Sequence, residues 1–344
     1  MVQCKRLARA LSAGLLICLA VGSTANVVVA APVNFGDLGI VGDAPFYIAQ
    51  EKGYFAQQKV EIATQPLDSA ANALLPLATN QLQAVAGGLS AGLFNAFARD
   101  LPIRIVFGNT RDMPGFSTDM LLLREDLRDR VSTIKDLRGK KIALNAKAGS
   151  LEYILGRVLQ TDGLALSDVD LTYLSWPNQG AAFANRAIDI GAVSEPFGSL
   201  YTEKKLAFPF KRAADVLRNP FVQVSVVLFS KSWMDKEPEQ AKAFALAYVQ
   251  GMRYYYDAMK GGPNRQEVID IITRHTTLKD KALLDRIQWS YIDPNGDLTM
   301  ESLRDQIDWF GKQGELPQAV DLDRMVDKRY LEFAHEKLGR APTD

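Results

Sequence analysis

The stretch that decides the fold runs from Val33 to Gln65, VNFGDLGIVGDAPFYIAQEKGYFAQQKVEIATQ. It opens on the apolar run Val33 to Ile40, which reads as a strand. Pro45 then stands at a first helical position, and Gly53 stops the helix that Pro45 starts. Val60 to Gln65 reads as the next strand, so the stretch is a strand–helix–strand unit of the kind that pairs its strands in parallel. Working outward, Ala84 to Leu89 and Ile103 to Asn109 are further strands, with helices at Ala70 to Thr79 and Ala91 to Arg99 between them. A second series follows at Met120 to Arg124, Lys141 to Ala146, Asp170 to Trp176, Ile188 to Ser194 and Phe208 to Lys211. Its clearest helix places Leu151, Ile154, Leu155, Val158 and Leu159 on one core face, behind Ser150 as N-cap and ahead of a closing Gly163.

The two series echo one another. Asn80-Gln81-Leu82-Gln83-Ala84-Val85-Ala86-Gly87 and Arg186-Ala187-Ile188-Asp189-Ile190-Gly191-Ala192-Val193 each describe a helix end, a tight turn and a buried strand leading to a loop. The expectation is two α/β lobes of similar build. Two proline-bearing segments, Met113-Pro114-Gly115 and Asn219-Pro220, read as the crossings between them, the second preceding a strand from Phe221 to Phe229. Beyond it the pattern is helical. Ala241, Phe244, Ala245, Tyr248, Val249, Met252, Tyr256 and Met259 trace one face, and Tyr254-Tyr255-Tyr256 is assigned to packing. Helices near Met300 to Gln313 and Leu322 to Leu338 are expected to return over the first lobe.

Composition narrows the classes of function. The 344 residues hold 40 Lys plus Arg against 40 Asp plus Glu, and only 23% are charged, so the basic stripe that nucleic acid requires is missing. Apolar content of 47% is that of a globular chain, and its length favours two lobes over one core. Lys5, Arg6 and Arg9, the apolar run Ala10 to Gly22 and the small residues Val29-Ala30-Ala31 read as a cleavable secretory signal over residues 1–31. Cys4 and Cys18 both fall inside it, which leaves the exported chain without a thiol and its fold dependent on its core.

The inventory for catalysis is thin. His275 and His335 are the only histidines, both in the helical tail, with no neighbours at metal-ligand spacing. No catalytic residue, metal site or cofactor is expected. What remains is a set of loops at the carboxyl ends of strands, where α/β sheets place ligands. They are Gly42-Asp43-Ala44-Pro45-Phe46, Gly87-Gly88-Leu89-Ser90, Lys147-Ala148-Gly149-Ser150, Trp176-Pro177-Asn178 and Ser194-Glu195-Pro196. Helix openings at Ser90 and Ser150 suit an oxyanion. Asp43, Asp112 and Glu195 suit a hydrogen-bond donor instead, while Arg111 points the other way, so the polarity of the ligand stays open at this stage.

The segment from Gly42 to Phe55, GDAPFYIAQEKGYF, resembles the opening motif of periplasmic substrate-binding proteins of the nitrate/sulfonate/taurine class of ABC transporters. Asp136 to Ala143, DLRGKKIA, is similar to that family's second-lobe opening, Gly149-Ser150 to its helix-opening pair, and Ile188 through Pro196 to its later strand and loop. The resemblance departs at Asn80 and Gln83, where the family commonly has Gly and Asp.

The resemblance implies a two-lobed periplasmic-binding-protein fold of type II, its lobes joined by two hinge crossings. Lobe 1 would take residues 32–115 and 226–344, and lobe 2 residues 116–225. It implies a monomeric extracytoplasmic protein that captures a small solute and passes it to an ABC permease at the inner membrane. The solute would be a sulfonate, a carboxylate, a nitrate-like anion or a pyrimidine-like compound. An enzyme on the same fold, similar to thiamine-pyrimidine synthase, is the alternative. Asp43, Ala44, Phe46, Gly88, Ser90 and Arg111 are the expected ligand contacts of the first lobe. Gly149, Ser150, Leu151, Trp176, Asn178 and Glu195 are those of the second.

Overall fold

Thirteen strands build three sheets in the computed structural model, which describes residues 31–217 and 221–343. The proposed signal cleavage region up to residue 30 and the Asn219-Pro220 crossing lie outside the described residues. The first sheet holds β1 (Val33–Asp37), β2 (Ile62–Pro66), β3 (Ala84–Gly88) and β4 (Ile103–Gly108). The second holds β6 (Asp119–Arg124), β7 (Lys141–Leu144), β8 (Asp170–Tyr173), β9 (Ile190–Ser194) and β10 (Ala207–Lys211). Between them β5 (Thr110–Asp112) pairs with β11 (Val222–Gln223) and β13 (Tyr291–Ile292), and β12 (Ser225–Ser230) returns into the first sheet.

The two large sheets have the same order. The first runs β2-β1-β3-β12-β4 and the second β8-β7-β9-β6-β10. In each the first three strands are parallel and the fourth is antiparallel to its neighbours. The parallel strands are those read from the sequence. The antiparallel one in each sheet adjoins a crossing.

The sequence echo has a matching geometry. Asn80 and Arg186 both take the left-handed conformation, at φ 61° and 56°, and turn the chain from a helix into β3 or β9. Three residues later, Gln83 Oε1 accepts the amide of Asn34 at 2.8 Å and Gln83 returns its own amide to the Asn34 carbonyl at 3.0 Å. In the second lobe Asp189 Oδ2 accepts the amide of Lys141 at 3.0 Å, and Asp189 returns its amide to Lys141 at 2.8 Å. Gln83, the departure from the family pattern, thus makes the strand-clamping bond that the carboxylate makes in the other half.

The expected single strand from Phe221 to Phe229 is two. Val224 breaks it, leaving β11 in the crossing sheet and β12 in the first. A third segment, β13, joins the crossing, a role not visible in a tail whose dominant pattern is helical. The tail also reaches farther than expected. The helix Pro238–Met259 packs along the helix Ala44–Glu51, buries Phe244, Tyr248 and Tyr255 completely, and gains about 1.5–3 kcal/mol from each large side chain removed from water. Gly251 allows this approach, because any Cβ there would collide with the Pro45 carbonyl. The helix Met300–Lys312, however, does not cover the first lobe alone. Its Trp309 lies against Gly156 and Tyr153 of the helix Ser150–Gln160, while Phe310 meets Phe94 of the helix Ala91–Ala98.

Candidate functional site

The strand ends converge on one cleft between the two large sheets. It encloses about 1010 Å³ of space, its mouth included. From the first sheet come Leu38, Ile40, Gly42 and Asp43 after β1, Asp68 to Ala71 after β2, and Gly88 to Ser90 after β3. The second contributes Thr118 and Asp119 at the start of β6, Asn145 to Lys147 and Gly149 to Leu151 after β7, Trp176 after β8 and Ser194 at the end of β9. Asn109, Thr110, Val224 and Ser225 line it from the crossing strands. This is the carboxyl-end crevice that parallel sheets offer to ligands, doubled by the second lobe.

Across one edge the lobes touch. The amide of Ala91 donates to the carbonyl of Ala148 at 2.9 Å, and Ser90 and Gly149 form an antiparallel bridge. Ser90 caps its helix by accepting the amide of Leu93 at 3.1 Å. Ser150 does not cap. Gly149 occupies the N-cap position, and Ser150 is the first helical residue with its hydroxyl facing Gly88, where an added Cβ would lie 3.4 Å from Oγ.

Asp43 sits in the cleft wall, 1% exposed, and its Oδ2 accepts the amide of Leu38 at 3.1 Å. Burial pushes its carboxyl well above the ordinary carboxylate range, with the charge of Asp37 adding to the effect and the amides of Leu38 and Ile40 opposing it. Asp119 is 4% exposed, and burial raises its carboxyl to about 6 against the pull of the Ser194 hydroxyl and the Arg212 guanidinium. Asp112 on β5 is raised by burial and then by the charge of Asp119. Trp176 lines the cleft half-buried, with its Nε1 donor unpartnered among the described residues. Asn109 ties the back wall together. Its Nδ2 donates to the Gly42 carbonyl and to Ser225 Oγ, both at 3.1 Å, while its Oδ1 accepts from Tyr248 at 3.2 Å.

Of the residues expected to meet ligand, Asp43, Gly88, Ser90, Gly149, Ser150, Leu151 and Trp176 come together in this lining. The other five are placed elsewhere. Ala44 is fully buried beneath the cleft, and Phe46 stacks on Phe35 at 3.7 Å with a 10° interplanar angle, because its helix turns that face onto the core. Arg111 points out of the cleft toward the carbonyl of Asp297 at 3.1 Å, the carboxylate of Asp293 at 3.8 Å and the ring of Tyr291. Glu195 is spent on Ser199, accepting its amide and its hydroxyl at 2.9 Å each. Asn178 lies in the exposed first turn of the helix Trp176–Ala184.

The sequence reading passed over Asp68, Ser69, Asn109, Thr110, Thr118, Asp119, Asn145 and Ser225, and named Ser194 only as part of a candidate loop. Thr118 precedes and Asp119 opens an antiparallel strand, so the carboxyl-end rule alone points to the wrong end of β6. Among the described residues no group of His, Cys, Asp and Glu is arranged to hold a metal ion, and no helix is long and apolar enough to cross a membrane.

A family model described as NMT1/THI5-like matches residues 42–258, from the loop after β1 to near the end of the long tail helix. Among curated proteins, none matches by sequence. Solved structures of the same fold include the alkanesulfonate-binding protein SsuA from Xanthomonas axonopodis pv. citri bound to MOPS. It is 20% identical with a TM-score of 0.70, over 87% of this chain and 100% of that one. The periplasmic nitrate-binding protein NrtA from Synechocystis PCC 6803 is 14% identical with a TM-score of 0.73, over 90% and 89%. The desulfurization enzyme DSZB is 14% identical with a TM-score of 0.66, over 90% and 99%.

Proposed function

The chain belongs to the NMT1/THI5-like family, and on that premise we propose that it is an extracytoplasmic solute-binding protein. It captures a small molecule between its lobes and delivers it to an ABC importer. The observation that carries this reading is the cleft itself. Two sheets of identical order present their strand-end loops to one cavity, and the lobes meet across it at Ala91 and Ala148. A ligand held by both walls favours the joined state by its differential affinity for it, which supplies the signal a permease reads. The basic and apolar character of residues 1–22 supports export.

Solutes bound by the proteins of like fold support a small-molecule partner, and an inner-membrane permease completes the reading. The cleft offers carboxyls, hydroxyls and one indole, a set suited to grip and release. Native mass spectrometry of the freshly exported protein tests the proposal. A non-covalent adduct of small mass, lost on denaturation and accompanied by a fall in melting temperature, is the expected result. Catalytic conversion of that solute by the purified protein would overturn it, as would a melting temperature indifferent to the solute's return.

A further inference from the structure

We propose that the ligand of this cleft carries a protonated nitrogen, an amine, amidine or guanidine, on a compact apolar body, and that Asp43 and Asp119 receive it from opposite walls. The inference rests on the reading of the cleft as a ligand site and names the chemistry of its occupant.

Charge bookkeeping inside the cavity is one-sided. Its described lining contains three carboxyls, Asp43, Asp68 and Asp119, against one cationic side chain, Lys147. That lysine is already paired with Glu315 at 3.2 Å, and its side chain is 65% exposed. Neither Asp43 nor Asp119 has a Lys or Arg ion-pair partner within 4 Å among the described residues, although each is at least nine-tenths buried. Arg111 is turned away from the cavity to Asp293. A buried carboxylate without a paired counter-charge is costly; here the amides of Leu38 and Ile40 offset it at Asp43, and the Ser194 hydroxyl and the Arg212 guanidinium, beyond ion-pair distance, offset it at Asp119. A cation entering between the two walls supplies the missing charge and forms charge-assisted hydrogen bonds. An oxyanion would instead meet two buried acids, and the first amide of the helix Ala91–Ala98, a natural anion donor, is already committed to Ala148.

The remainder of the lining fits the other half of such a molecule. Leu38, Ile40, Leu89, Leu151, Val224 and the Trp176 ring give an apolar surround.

The experiment is a thermal-shift and calorimetric comparison on the purified protein with butylamine, butylguanidine and benzamidine set against butanesulfonate, butanol and nitrate. The nitrogen cations are expected to raise the melting temperature and the matched sulfonate, alcohol and nitrate to leave it unmoved. Asp119→Asn and Asp43→Asn, each checked by circular dichroism for retained fold, are expected to weaken cation binding by about tenfold or more, the loss typical of a charge-assisted contact. Binding of butanesulfonate or nitrate at least as strong as that of the cations overturns the inference while leaving the capture reading intact. Cation binding unchanged in both variants also overturns it, as does the failure of every nitrogen probe to bind. The adduct seen by native mass spectrometry decides the capture reading separately.

Discussion

The amide of Ala91 reaches the carbonyl of Ala148 at 2.9 Å, joining the first turn of a helix that rises from the first sheet to the loop that follows β7 in the second. Ala148 holds a left-handed conformation, φ 50°, to present that carbonyl, and its own amide is fixed by Glu152 Oε2 at 3.0 Å, which in turn accepts from the Tyr173 hydroxyl at 2.9 Å. This backbone bond joins the lobes at the edge of the cleft, and its acceptor is held by side chains of the second lobe.

Ala91→Pro removes the donor while keeping the helix, since proline suits a first helical position and Ser90 before it is already extended. The substitution is expected to cost about 1 kcal/mol, seen as a drop of roughly 2–4 °C in melting temperature, with a larger radius of gyration in small-angle scattering. Ala91→Ser, which retains the amide, should match the parent in both. Equal scattering from the proline variant and the parent would show that the bond does not hold the lobes together.

Asp119 makes stability depend on pH in the reverse of the usual carboxylate sense. Its folded value of about 6 stands above the ordinary 3.8, so the folded state binds the proton more tightly. Its contribution is fully present below the ordinary value and is lost as pH rises through 6. Asp119→Asn should remove up to about 3 kcal/mol of that slope between pH 4 and 7, measured as the difference in denaturant midpoints between variant and parent. Parallel pH curves for the two proteins would contradict the assignment.

Gln83→Ala leaves the Asn34 amide at the head of β1 without its acceptor and is expected to destabilise by about 1–3 kcal/mol in chemical denaturation. Gln83→Asp, which restores the arrangement that Asp189 makes with Lys141, should recover part of the loss. No difference between the two variants would mean that the strand clamp contributes nothing.

Ser150→Leu places bulk against Gly88 in the lining of the cleft. The ligand-induced rise in melting temperature should disappear while the ligand-free value stays within about 2 °C of the parent, as expected of a small change in stability. An unaltered ligand response would remove Ser150 from the site.

Phe46→Ala tests the opposite assignment. With Phe46 stacked on Phe35 in the core, truncation should cost about 3–5 kcal/mol of stability. The affinity of the protein that remains folded should be preserved. A loss of affinity without loss of stability would return Phe46 to the cleft.

Much of this architecture was legible because parallel strands buried on both faces read as short apolar runs between helical patterns. The twin turns at Asn80 and Arg186 were legible as well, since helix ends and following strands leave matching patterns. Phe46 and Glu195 lie outside the cleft lining, which the sequence did not reveal. A loop position next to a cleft and a core position one helical face away are adjacent in sequence, and only the rotation of the helix Ala44–Glu51 against Pro238–Met259 separates Asp43 from Phe46. Asp119 was missed because it leads an antiparallel strand, whose beginning meets the ends of its parallel neighbours.

Local pattern therefore determined the alternating elements, their parallel pairing and the family to which the chain belongs, because periodicity and turn chemistry act over a few residues. The pairing of β5, β11 and β13 was decided only by the tertiary structure, as were the helix Met300–Lys312 lying across both lobes and the meeting of Asp43 with Asp119 around one cavity. Those contacts join residues dozens to hundreds of positions apart, and no short-range signal records which distant surfaces will exclude water together.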